Sequence, residues 1–229
     1  MQFQRVGRKR QGRASQALKL VLIFTMLYTC RMIVLTIDQR RSRSSEDKVQ
    51  ALIEQANATV PVVRPFQRTA GDEVQAVLDD ASEAIRLAVM MAASGDWSVG
   101  LGFGQVETPL PKETRAGRGP AFEYARVAVE RSKNTNAHVA VHGPSHEATR
   151  LEAELQLTAC IVAKRRATAW EAGTLADEGL TQQQIAKELG ITQQAVSSRL
   201  SAALWFEANR MMDEAAKSLT RQLKMLGEL

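Results

Sequence analysis

Hydrophobic and polar positions change their period along this chain, and the change divides it in two. Residues 32–37, "MIVLTI", form a short apolar run that ends at Asp38, as a buried strand would. A polar stretch follows, and then Val49, Leu52, Ile53 and Ala56 recur at helical spacing. "VVRPFQRTA" and "VQAVLDD" flank a Gly-Asp-Glu turn at Gly71, Asp72 and Glu73, which predicts a hairpin. Ile85, Ala88, Val89 and Ala92 share one face of a further helix, and "WSVGLGFGQVE" reads as a glycine-rich strand. Beyond a proline-rich loop, "AFEYARVAVERSK" is helical just after Pro120, and "AHVAVHG" is a last strand. The order strand, helix, strand, turn, strand, helix, strand predicts an α+β, ferredoxin-like βαββαβ unit, with one helix and one strand added.

After "GPS" at residues 143–145 no strand pattern returns, which places a domain boundary there and predicts an all-helical second half, 144–229. Within it, residues 180–200, "LTQQQIAKELGITQQAVSSRL", carry a compact signature. Ile185 and Leu189 share one face of a first helix, and Ala186 is small where two helices must approach. Gly190 supplies the left-handed turn that ends this helix, and Thr192 suits the cap of the next. Val196 and Leu200 turn that second helix inward, leaving Gln193, Gln194, Ser197, Ser198 and Arg199 to face base edges and phosphates. This helix-turn-helix at 181–200 resembles those of bacterial regulators and of sigma-factor region four. The alternative is a helical hairpin that only packs. Trp205, Ala208, Met212, Ala215, Leu219, Leu223 and Leu226 then recur at steps of three and four. That stripe predicts either a seam for a partner helix, and hence a homodimer, or packing on its own domain.

Charge modifies this picture less than its total suggests. The chain of 229 residues has a formal charge of +5, but residues 1–31 hold seven basic side chains and no acid, so the rest is slightly negative. Over 144–229 basic and acidic side chains nearly cancel, so phosphate contact falls to the local cluster Lys164, Arg165, Arg166 and to Arg199. Residues 1–31 combine basic and apolar stretches, yet a single span from Leu20 to Ile37 would bury Arg31 at a cost of about 2–3 kcal/mol and consume the first strand. We expect no membrane segment, a start at Met32 or Met26, and a cytoplasmic protein. Cys30 and Cys160 do not make a disulfide framework, which fits a reducing compartment. His138, His142 and His146 are four apart, but two lie on a predicted strand, so helical geometry cannot unite them around a metal.

"LTIDQRRSR", "AGDEVQAVLDDASEAIRLA", "VGLGFGQVE", "GPAFEYARVAVE" and the terminal helix-turn-helix together resemble the SatD family of bacterial putative regulators. The resemblance implies a nucleotidyl-cyclase-like domain, 32–143, joined to the DNA-binding tail. In class III cyclases one metal-binding Asp ends the first strand and another follows the glycine of the hairpin turn; Asp38 and Asp72 match those places. Two such carboxylates could hold Mg²⁺ against a nucleotide, and Gly100, Gly102 and Gly104 would let that nucleotide approach the strand. "AGDEV" is also similar to the GGDEF signature of diguanylate cyclases. The departures are substantial: Glu123 stands near the position of a charge-stabilising Asn, and Arg126 follows it at the wrong interval. The expectation is a sequence-specific DNA-binding transcriptional regulator whose degenerate cyclase-like domain senses a nucleotide or metal. The competing expectation is a nucleotide-processing enzyme, with its metal at Asp38 and Asp72, carrying a helical targeting tail.

Overall fold

The computed structural model describes residues 29–226. Expectations for residues 1–28 lie outside that range, while Cys30 and Arg31 fall inside it, in the first strand. Strand β1 (Thr29–Gln39) is therefore longer than the apolar run predicted, and it begins before Met32. It leads into helix α1 (Val49–Thr59), then β2 (Arg64–Arg68), β3 (Glu73–Leu78), α2 (Ala81–Ala93), β4 (Trp97–Glu107), α3 (Pro120–Ser132) and β5 (Val139–His142). Helices α4 (Glu147–Val162), α5 (Ala167–Asp177), α6 (Gln182–Leu189), α7 (Gln193–Ala202) and α8 (Trp205–Met225) complete the described chain. Among the described residues no helix is long and apolar enough to cross a membrane.

The strands form one five-stranded sheet in the order β2-β3-β1-β4-β5. β1 lies antiparallel to both β3 and β4, with Asp38 opposite Glu73 on one side and Ser98 on the other. β5 joins β4 in parallel, Val99 opposite Val139. Period-two alternation gives each strand two faces. Ile33, Leu35 and Ile37 of β1 face the large core with Val74, Ala76 and Leu78 of β3 and with Leu101 and Phe103 of β4. Helices α1 and α2 cover this face. The turn into α2 is fixed by Asp80, whose carboxylate accepts from Ser82 N at 2.7 Å and Glu83 N at 3.1 Å.

On the other face, Val34, Val77 and Val106 pack against Ala121, Phe122 and Ala125 of α3. This packing accounts for the glycines of β4. A Cβ built at Gly100 would stand 2.2 Å from Val129 N, and one at Gly102 2.3 Å from Ala121 O and Ala125 N. The alanines of α3 and the glycines of β4 thus bring helix and strand backbones into direct contact.

The boundary expected after Gly143 does not separate two cores. Leu151, Leu155 and Ala159 of α4 and Ala208, Met212, Ala215 and Leu219 of α8 are buried in the same cluster as the sheet and α2. The stripe on α8 that could have served a partner helix is accordingly used within the chain, with Leu223 and Leu226 continuing it at the edge. A separate small core belongs to α5, α6 and α7, where Ala169, Ala172, Ile185, Val196 and Leu200 pack with Trp205.

Candidate nucleic-acid interface

Local chemistry fixes the α6–α7 unit. Thr181 and Gln184 form a capping box, each side chain meeting the other residue's backbone N–H at the start of α6. At its end Gly190 adopts φ 65°, and Ile191 N donates to Ala186 O at 3.0 Å. Two residues on, the Thr192 hydroxyl accepts from Ala195 N at 3.1 Å and starts α7. Ile185 and Val196, both fully buried, close the angle between the helices, with Leu200 beside them. The small Ala186 lies at their approach, where the sequence placed it.

This arrangement leaves Gln193, Gln194 and Ser198 exposed on α7, and Ser197 half-buried. No acidic residue lies in the first turn of α7, so the partial positive charge of its N-terminus is not offset there. Arg199 behaves differently from its neighbours. Its Nη1 lies 3.4 Å from both Thr168 O and the Glu171 carboxylate, and its side chain is only 26% exposed. It holds α7 to α5.

Beside that contact lies a cavity of about 420 Å³, lined by Lys164, Arg165, Arg166, Ser198 and Arg199 among others. Lys164 and Arg166 are exposed, and among the described residues neither forms an ion pair. Arg165 is turned inward. Its guanidinium stands 4.1 Å from the ring centre of Trp205, and its Nε lies 3.3 Å from Ala203 O. Burial pushes its pKa below the usual arginine value, with Asp177 opposing. Of the predicted basic cluster, Lys164 and Arg166 are therefore free to meet a phosphate, while Arg165 is structural.

The turn residues of the α/β part also come together. Asp38 and Asp72 line one cavity of about 360 Å³ with Arg40, Arg41, Arg43, Ser98 and Lys133. Lys133, at the end of α3, places its ammonium 3.0 Å from Asp38 and 2.9 Å from Glu130. Burial raises the Asp38 pKa above its ordinary value, and nearby Asp72 adds to the rise, against the hydrogen bond and charge of Lys133. Burial acts against the Lys133 charge too, but hydrogen bonds to Glu130 and Asp38 outweigh it and raise its pKa. The expected metal pair is thus two carboxylates with a lysine already bound to one of them. Among the described residues no group of three or more His, Cys, Asp or Glu could hold a metal ion.

The remaining expected site residues are dispersed. Gly100 and Gly102 are covered by the α3 backbone, so the close approach they permit is that of a helix and not of a nucleotide; Gly104 faces the Tyr124 ring. His142 packs edge-on against Tyr124 with ring centres 4.8 Å apart, and His146 precedes α4. Lys133 was missed by the sequence because a helix-terminal lysine 95 positions from Asp38 carries no local signal.

Residues 161–204 match the family described as sigma-70, region 4, a helix-turn-helix of the DNA-binding type, and the matched segment spans α5, α6 and α7. No curated protein and no solved structure matches the chain. Residues 161–204 of this protein are thus similar to a region 4 helix-turn-helix, and they follow a five-stranded α+β body.

Proposed function

We propose that this protein is a sequence-specific DNA-binding transcriptional regulator that reads its site with α7. The observation that carries the proposal is the α6–Gly190–Thr192–α7 geometry within the segment similar to sigma-70, region 4. Gln193, Gln194 and Ser198 are the base-facing candidates, with Ser197 at the margin. Lys164 and Arg166 supply backbone phosphate contacts. Arg199 takes part by fixing the orientation of α7. A protein with this partner acts in the cytoplasm of a bacterial cell.

The α/β body is, in this proposal, a degenerate cyclase-like sensor of the kind the SatD resemblance implies. Its strand order supports the ferredoxin-like part of that description: β1 lies between antiparallel neighbours β3 and β4, with β2 beyond β3 and β5 added beyond β4. The meeting of Asp38 and Asp72 in one cavity supports the cyclase-like part. Because α4 and α8 belong to the sheet's core while also flanking α5–α7, a ligand that shifts the body acts on the reading head through those two helices. Dimerisation on a paired site would compensate for the few basic contacts of one head, through surfaces other than the α8 stripe.

Selection of genomic DNA fragments on the purified chain tests the proposal. Enrichment of a defined sequence against excess competitor supports it; uniform recovery of fragments at moderate salt contradicts it.

A further inference from the structure

The cavity at the end of β1 carries more positive than negative charge: Arg40, Arg41, Arg43 and Lys133 surround Asp38 and Asp72. Its rim is shaped by one buried side chain. Gln39, 3% exposed, donates through Nε2 to Glu46 O at 2.6 Å and Ser45 Oγ at 3.2 Å, and its Oε1 accepts from Lys48 N at 2.9 Å. These bonds fold residues 40–48 back over the strand end. Within the loop Arg41 takes a left-handed φ of 57°, uncommon for a residue with a side chain, and its carbonyl accepts from Ser44 N at 2.9 Å and Ser45 Oγ at 3.0 Å. Arg40 is held by Gly95 O at 2.7 Å. Arg41 and Arg43 remain exposed, and among the described residues neither forms an ion pair.

The chain thus fastens a loop in a strained shape and leaves two guanidinium groups unmatched at the mouth of a cavity. Ser98, buried, forms part of the lining. The surplus of positive charge is felt nearby: the His138 pKa is lowered by burial, and next by repulsion from Arg40 and from Arg41. A divalent cation would meet this field and an ammonium already on Asp38. An oxyanion would meet the complementary field, with forked donors suited to its oxygens.

We propose that the cavity binds a phosphate-bearing small molecule directly, without a divalent cation, through the Arg41 and Arg43 guanidinium groups and the Lys133 ammonium. The Asp38 carboxylate holds Lys133 in position for this. A volume of about 360 Å³ accommodates more than a bare phosphate, so the ligand has room for an attached group.

The test is calorimetric titration of the full chain with inorganic pyrophosphate at low salt, with a chelator present. The expected result is saturable binding unchanged by the chelator. Changing Arg41 and Arg43 together to Ala weakens it about tenfold or more, and Lys133→Gln weakens it too. The pair Lys164→Ala and Arg166→Ala, which alters the other basic cavity, leaves it intact. Absence of saturable binding, binding that requires added Mg²⁺, or binding lost in the Lys164 and Arg166 variant and retained in the Arg41 and Arg43 variant each overturns the proposal. No DNA enters the titration, so this result stands apart from the DNA-reading proposal.

Discussion

Arg165 and Trp205 form the joint between the reading head and the rest of the protein. The guanidinium lies 4.1 Å from the ring centre, while the indole N–H donates to Asp177 at 2.9 Å and Trp170 packs edge-on at 5.1 Å. Trp205 opens α8, which reaches the core beneath the sheet, and its ring also fills the space above Gly173 of α5. Replacing Trp205 with Ala should cost about 3–5 kcal/mol of stability, as for other buried large aromatics. Denaturant unfolding followed by far-UV and near-UV circular dichroism measures this. We expect the head to lose its packing at lower denaturant than the sheet.

The β4–α3 contact makes a second expectation. Gly102→Ala would put a methyl group 2.3 Å from the backbone of Ala121 and Ala125, where no flexible side chain can yield. Such overpacking costs about 1–3 kcal/mol and more where the backbone must shift. Gly71→Ala is the useful contrast, because space there is open and only its φ of 57° opposes the change. The midpoint of thermal unfolding should fall further for Gly102→Ala than for Gly71→Ala.

Asp38 gives a pH dependence with a definite sign. Its pKa is raised in the folded protein above the ordinary 3.8, so its contribution to stability is fully present below that value and lost as pH rises through the folded pKa. Asp38→Asn removes this loss. Stability measured by urea unfolding from about pH 3 to pH 7 should shift in favour of the variant as pH rises. A difference independent of pH would show that Asp38 bears no excess cost when ionised.

Lys164 and Arg166 are expected to act on affinity and leave preference unchanged. Phosphate contacts of this kind contribute equally to every sequence and make binding depend on salt. Each change to Ala should weaken DNA binding across sequences and reduce the slope of log K against log salt by about 1. Fluorescence anisotropy at several salt concentrations reads both quantities.

Much of the fold was legible because short-range rules set it. The apolar run of β1, the hairpin turn at Gly71, the cap at Thr192 and the turn at Gly190 each depend on neighbouring residues. What was not legible depends on distant ones. The Ala-Gly complementarity between α3 and β4 looks, from β4 alone, like room for a ligand. The stripe on α8 has the same period whether it meets a partner or its own α2 and α4. Arg199 follows Ser198 directly, yet it also meets the carboxylate of Glu171 on another helix, a contact no local pattern announces. The Asp38 and Asp72 pair was found through a family resemblance, and Lys133, which alters its chemistry, stands on a helix with no pattern pointing back to it.

In the proposed function α7 reads DNA through Gln193, Gln194 and Ser198. The most direct measurement compares the wild-type chain with the variant carrying Gln193→Ala, Gln194→Ala and Ser198→Ala on a fragment selected from genomic DNA, alongside a scrambled fragment of equal length. These side chains are exposed and pack on nothing in the small core, so folding is preserved. Preference for the selected fragment should fall at least tenfold, about 1.4 kcal/mol, while binding to the scrambled fragment is little changed. Unchanged discrimination in the variant, or no discrimination by the wild type, would contradict it.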